Sequence, residues 1–186
     1  MIYIMQTAIE FVQLCDGFHL NLTGLGLERL PDDLPDTLKE LYCGHNQLTE
    51  LPENLPDTLG QLYCDHNQLT ELPKHLPTGL SRLNCSHNQL TGLSMCLPSS
   101  LEYLGCSHNQ LTELPEHLPE SLMWLYCSHN QLGHLPEILP EALVDLQCAH
   151  NQLKHAYQNV HVYKWRKRIE AVNRQIEDRP YGRGGN

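Results

Sequence analysis

The string Leu-x-Cys-x-His-Asn-Gln-Leu occurs six times in this chain, at 41–48, 62–69, 83–90, 104–111, 125–132 and 146–153. The period is 21 residues and never slips. Between copies runs a second constant string, Leu-Pro-x-x-Leu-Pro-x-x-Leu-x-x, as in Leu51 to Gln61. A unit this short presents only about half a dozen core side chains, here Leu38, Leu41, Cys43, Leu48, Leu51 and Leu55. Their burial does not offset the entropy of ordering the unit. Copies must therefore stack, each covering its neighbour, and the chain is constrained to a quasi-one-dimensional solenoid.

Leu41-Tyr42-Cys43 alternates inward, outward, inward, which predicts a short strand pairing in parallel with its equivalents about 4.8 Å away. Asn46 ends the strand, and a buried Asn repeated at one phase bonds backbone groups of its own and the adjacent coil, forming a ladder. The two prolines of the linker fix φ near about −65° and remove donors, so the return side is predicted to be extended or polyproline-like, and the stack strongly curved. A degenerate entry copy begins at Leu20, with Leu25 where later copies carry Asn. After Leu153, Ala156 and Tyr157 replace the expected Leu-Pro and the pattern stops. Leu93-Ser94-Met95-Cys96 lacks the usual first proline, which predicts local loosening without a domain break.

Leu38-x-x-Leu41-x-Cys43-x-x-Asn46-x-Leu48 resembles the leucine-rich repeat, with Cys at a usual Leu phase. The short period and the Leu-Pro-x-x-Leu-Pro linker are similar to the bacterial subclass found in effectors injected by type III secretion systems. Cys-rich variants of the string also resemble leucine-rich-repeat proteins of giant amoebal DNA viruses. The resemblance covers about residues 20–157. It implies a curved solenoid with parallel strands on its concave face, a protein-interaction role, and a host-directed effector or viral protein working in the cytoplasm, of the host cell where it is injected. Some effectors of this kind carry a ubiquitin-ligase domain with a catalytic Cys after the repeats; here no Cys follows Cys148, so that activity does not carry over.

The domain plan is an N-terminal helical cap over 1–19, a solenoid of about seven repeats over 20–157, an amphipathic basic helix over 158–178 and a flexible tail over 179–186. Ile2, Met5, Ile9 and Val12, with Ala8 and Phe11 beside them, have helical spacing, as do Val162, Trp165, Ile169, Val172 and Ile176. Residues 1–153 hold 4 Lys/Arg against 19 Asp/Glu, a balance of −15, while 154–186 hold 8 against 3, a balance of +5. An acidic body repels phosphate backbones, which disfavours nucleic acid as a partner. No run of 18 apolar residues is present and the first fourteen residues lack the basic start and cleavage site of an export signal, so neither a membrane nor export is expected. The basic run Lys164–Arg168 leaves open an adaptor role toward anionic lipid, nucleic acid or an acidic partner, against the plainer reading of a cap on the last repeat.

Variation among the copies concentrates on the strand face: Glu40, Gln61, Arg82, Tyr103, Trp124 and Asp145 at one phase, and Tyr42, Tyr63, Asn84, Gly105, Tyr126 and Gln147 at another. Tyr42, Tyr63, Tyr103, Trp124 and Tyr126 are expected to form an exposed aromatic strip which, with Arg82, provides the usual anchors of a protein interface. Strand propensity alone would also place tyrosines there. His45, His66, His87, His108, His129 and His150 line up beside this face. They read as a polar residue copied by duplication or, in the alternative, as a metal-binding or pH-responsive assembly ladder.

Cys and His suggest zinc, but the spacing suits no common structural site and the Cys phase is a core phase. Cys43, Cys64, Cys85, Cys106, Cys127 and Cys148 are therefore expected to be buried, reduced and without disulfides, acting as small hydrophobes. No nucleophile, base and oxyanion-donor set is recognisable, and no Gly-rich phosphate loop precedes a helix. The expectation is a non-enzymatic module without metal or cofactor.

Overall fold

The computed structural model describes residues 18–93 and 97–153, with the backbone of His161–Tyr163. One eight-stranded sheet runs through these residues: β1 (His19–Asn21), β2 (Glu40–Tyr42), β3 (Gln61–Tyr63), β4 (Arg82–Asn84), β5 (Tyr103–Gly105), β6 (Trp124–Tyr126), β7 (Asp145–Gln147) and β8 (His161–Tyr163). The first seven pair in parallel, each residue beside its equivalent 21 positions on, as in Leu41 opposite Leu62. The central Leu of each of the seven points inward and is buried, while the residues on either side face outward.

Beyond each strand the backbone ladder continues into the turn. Cys43 N–H donates to Tyr63 O and His45 N–H to Asp65 O, so adjacent coils stay in register past the strand. The buried asparagines then close the coil. Asn67 Nδ2 donates to Cys43 O of the preceding coil and Cys64 O of its own, while its Oδ1 accepts from Leu48 N–H. Asn46, Asn88, Asn109, Asn130 and Asn151 repeat this arrangement. The predicted asparagine ladder is thus present, and it links coils as well as ending strands.

On the return side the described residues contain no helix. Each second proline opens a turn in which its carbonyl accepts from the N–H three residues on, as in Pro56 O with Leu59 N–H. A hydroxyl ladder supports these turns: Thr58 Oγ1 donates to Asp36 O and Leu38 O of the preceding coil, and Ser100 and Ser121 do the same one coil behind them. Leucines and the six ladder cysteines fill the interior. Leu93 and Leu97 are only partly buried where their counterparts Leu51 and Leu55 are buried, but so is Leu139 in a regular linker. Ser94, Met95 and Cys96, where loosening was expected, lie outside the described residues.

Of the helical cap expected over 1–19, residues 1–17 lie outside the described residues, and His19 belongs to β1, where pairing with Glu40 of the next coil makes it strand and not helix. Of the C-terminal segment, residues 158–160 and 164–186 also lie outside them. Over His161–Tyr163, where a helix was expected, the chain instead pairs antiparallel to β7, with Val162 opposite Leu146. An edge strand with unpaired backbone groups is a strong template, and pairing with it outweighs the helical spacing of the local sequence.

Candidate functional site

The outward residues of the strands build two aromatic groups. Tyr42 and Tyr63 stack with ring centroids 4.9 Å apart and planes 5° from parallel. Tyr103 and Tyr126 meet edge to face at 5.5 Å and 87°, and Trp124 stands opposite Tyr103 in the sheet register. Exposed Arg82, on the strand between, separates the two groups. All five aromatic side chains are partly buried, not exposed as the sequence suggested. The reason is mutual coverage: rings about 5 Å apart along a ladder shield one another and leave mainly edges to water.

Three of the four phenol groups are tied down within the face. Tyr42 Oη donates to Glu40 Oε2 at 2.7 Å, Tyr63 Oη to Gln61 Oε1 at 3.2 Å and Tyr126 Oη to Asp145 Oδ2 at 2.9 Å. Gln61 Nε2 donates in turn to Glu40 Oε1. The bond to Glu40, then burial, push the Tyr42 phenol up to about 12; burial, then the bond to Asp145, do the same for Tyr126. Gly105 leaves a notch beneath the Tyr103 hydroxyl: a Cβ there would lie 3.1 Å from Tyr103 Oη and 2.7 Å from Asn84 Oδ1. The face is therefore a set of rings fixed in orientation around one projecting guanidinium.

Beside it, the six histidines form one continuous stack. Successive ring centroids from His45 to His150 are 4.0–4.2 Å apart, with planes 10–18° from parallel. Every one of these residues has a positive φ, between 52° and 56°. That left-handed conformation is what turns the chain from strand to the buried Asn. His is among the few non-glycine residues enriched there, so the ladder has a backbone role that the repeat pattern alone did not reveal. Gly24, at the same phase of the degenerate first copy, has a φ of 71° and was the available sequence clue.

The stack acquires a carboxylate at one place. His45, Asp65 and His66 bring one donor atom each to within 4.8 Å of one another. The ladder cysteines offer no comparable chemistry. All six are buried, and burial raises each thiol pKa, to about 12 for Cys43 and Cys85. Cys64 and Cys85 point their Sγ atoms at Asn84 O and Gly105 O. A protonated, enclosed thiol is neither nucleophile nor metal ligand. The basic run Lys164–Arg168 lies outside the described residues. Among the described residues no helix is long and apolar enough to cross a membrane.

The Leucine Rich Repeat family model matches residues 37–58 and 100–120. No curated protein matches the chain at a significant level. Among solved structures, the leucine-rich-repeat domain of a Shigella effector is similar with a TM-score of 0.68 at 29% identity, covering 95% of this chain and 84% of that one. YopM of Yersinia pestis, a leucine-rich effector protein, gives a TM-score of 0.64 at 34% identity over 78% of this chain and 47% of its own. The functional domain of InlJ from Listeria monocytogenes, which includes a cysteine ladder, gives 0.58 at 29% over 75% of this chain and 29% of its own. The chain thus spans less than half of the latter two.

Proposed function

Because the chain is a leucine-rich-repeat protein whose repeats are of the bacterial-effector type, we propose that it is a protein-interaction module holding its partner across the concave, strand-lined face. One observation carries the reading: the residues that break the repeat are those that make the two pre-oriented aromatic groups flanking Arg82. Tyr, Trp and Arg are the side chains that dominate interface energetics, and rings already fixed by neighbours and hydrogen bonds lose little entropy on binding. The similarity to leucine-rich effector proteins favours a host-cell protein as the partner and the host cytoplasm as the place of action. The scaffold reading needs no catalytic step.

The test is affinity capture from host-type cell lysate, followed by binding measurements on the recovered protein. The wild type is compared with a Tyr63→Ala, Tyr103→Ala, Trp124→Ala, Tyr126→Ala variant whose circular dichroism is unchanged. Loss of a specific band in the variant supports the face as the binding site. The same band in both would move binding to another surface.

A further inference from the structure

The residue that precedes each ladder histidine is Gly44, Asp65, Ser86, Ser107, Ser128 and Ala149 in turn. Only Asp65 carries a charge, and its neighbours are matched to it. Asp65 Oδ1 lies over Gly44, where a Cβ would come within 3.1 Å of it. The same oxygen accepts from Asn84 Nδ2 at 3.2 Å. With Oδ1 engaged, Oδ2 faces His45 Nε2 at 3.8 Å, too long for a hydrogen bond. The Asp65 side chain is 20% exposed and His45 is 58% exposed, so the gap between them opens to solvent. His66 completes the group of three donors.

From this geometry we infer that His45, Asp65 and His66 form a binding site for a single divalent transition ion of the zinc class. Zinc takes imidazole nitrogen and carboxylate oxygen at about 2.0–2.2 Å in tetrahedral geometry, which sets the donors about 3.4 Å apart. Donors already within 4.8 Å need only side-chain rotation to close on an ion. Two nitrogens and one oxygen suit zinc; calcium and magnesium prefer six or more oxygens, counting water. A water takes the fourth position.

Asn84 is a positioning residue. It fixes the carboxylate through the oxygen that does not face His45, the role outer-shell partners play at metal sites. Along the rest of the ladder, adjacent histidines supply two nitrogens and no carboxylate, so those pairs bind more weakly. The imidazole lone pairs of two stacked rings lie in nearly parallel planes and do not converge. Binding must therefore turn one ring out of the stack, which gives a readout separate from affinity.

The experiment titrates the reduced full-length chain with zinc at neutral pH by calorimetry, and follows the histidine ring resonances by NMR. The expected result is one tight ion, with the His45 and His66 signals shifting more than that of His129. Asp65→Ser, which installs the residue of three other coils, and His66→Asn, which retains a residue tolerant of positive φ, each weaken binding at least about tenfold. Asn84→Ala weakens it about 10–100-fold, while His108→Asn leaves it unchanged. The inference is overturned if the wild type binds no ion tightly, or if Asp65→Ser binds like the wild type. Equal weakening by His108→Asn would also overturn it, since binding would then belong to the ladder as a whole. A Cys15→Ser, Cys96→Ser chain must bind as the wild type does; lost binding there assigns the ion to those thiols instead.

Discussion

The ring of His87 lies 4.0 Å from the ring of His66, nearly parallel to it, although the coils that carry them are spaced like strands, about 4.8 Å apart. The rings tilt to make contact, and each interior ring is covered by imidazole on both faces. Loss of water, then the neighbouring histidines, lower the pKa of His87, with Asp65 opposing; the same first two causes lower that of His129.

This arrangement sets a direction for stability against pH. A histidine whose folded pKa lies below its unfolded value, about 6.5, binds protons more readily in the unfolded chain. Its contribution is present above the unfolded pKa, declines as pH falls through it, and levels off below the folded pKa. Urea unfolding between neutral pH and about pH 5 should therefore show stability falling with acid. A His87→Asn, His129→Asn variant should lose less over that interval. A slope unchanged from wild type would mean that the stack does not couple to folding.

The positive φ gives a second expectation. A β-branched residue in the left-handed region costs about 1–2 kcal/mol, which Asn and Gly largely avoid. His87→Val should lower the urea midpoint by a corresponding amount, while His87→Asn and His87→Gly stay close to wild type. Equal losses in all three would assign the stabilisation to ring stacking and not to backbone conformation.

The solenoid, its strand phase, the buried cysteines and the asparagine ladder were legible because each is a one-dimensional property: a residue repeated at a fixed offset meets its own copy. What depends on departures from the repeat was harder to read. Asp65 looked like an ordinary acidic residue until the adjacent coils placed Gly44 beneath it and Asn84 beside it. The tyrosines were expected to stand exposed because spacing gives the face of a side chain but not how far its neighbours cover it. The strand at His161–Tyr163 was missed since pairing with β7 is a tertiary demand, invisible in a segment whose own spacing is helical.

Asn88 shows how the ladder distributes its load. Cys64 O accepts from both Asn67 and Asn88, and Cys85 O from both Asn88 and Asn109, so each carbonyl keeps a partner if Asn88 is removed. Leu69 N–H has only Asn88 Oδ1 among these side chains. Asn88→Ala should therefore cost about 1–3 kcal/mol in urea unfolding, the penalty of one buried unsatisfied donor. Asn88→Asp should cost more at neutral pH, because it sets a carboxylate against the three carbonyl oxygens of Cys64, Cys85 and Ser86. A smaller loss for Asp than for Ala would show that the amide's donors contribute little.

The cysteine ladder predicts a reactivity pattern. Thiols that are enclosed and have pKa values pushed upward present almost no thiolate. In the native chain the six should resist alkylation and all should react once urea unfolds it. Native-state labelling of Cys85 or Cys106, read by peptide mass spectrometry, would contradict the buried, protonated ladder.

Gly105 connects the aromatic face to Asp65. A Cβ at this position would approach Asn84 Oδ1 to 2.7 Å and Tyr103 Oη to 3.1 Å, and both atoms end side chains that can move aside. Gly105→Ala should therefore change stability by less than about 1 kcal/mol. Its consequences should appear elsewhere. Displacing the Asn84 amide releases Asp65 Oδ1, and lifting the Tyr103 hydroxyl changes its edge-to-face contact with Tyr126. Zinc affinity and partner binding should both fall in a chain that unfolds like the wild type. If both hold while Asn84→Ala alone weakens zinc, the amide is not displaced by the methyl group, and Gly105 is there for the tyrosine only.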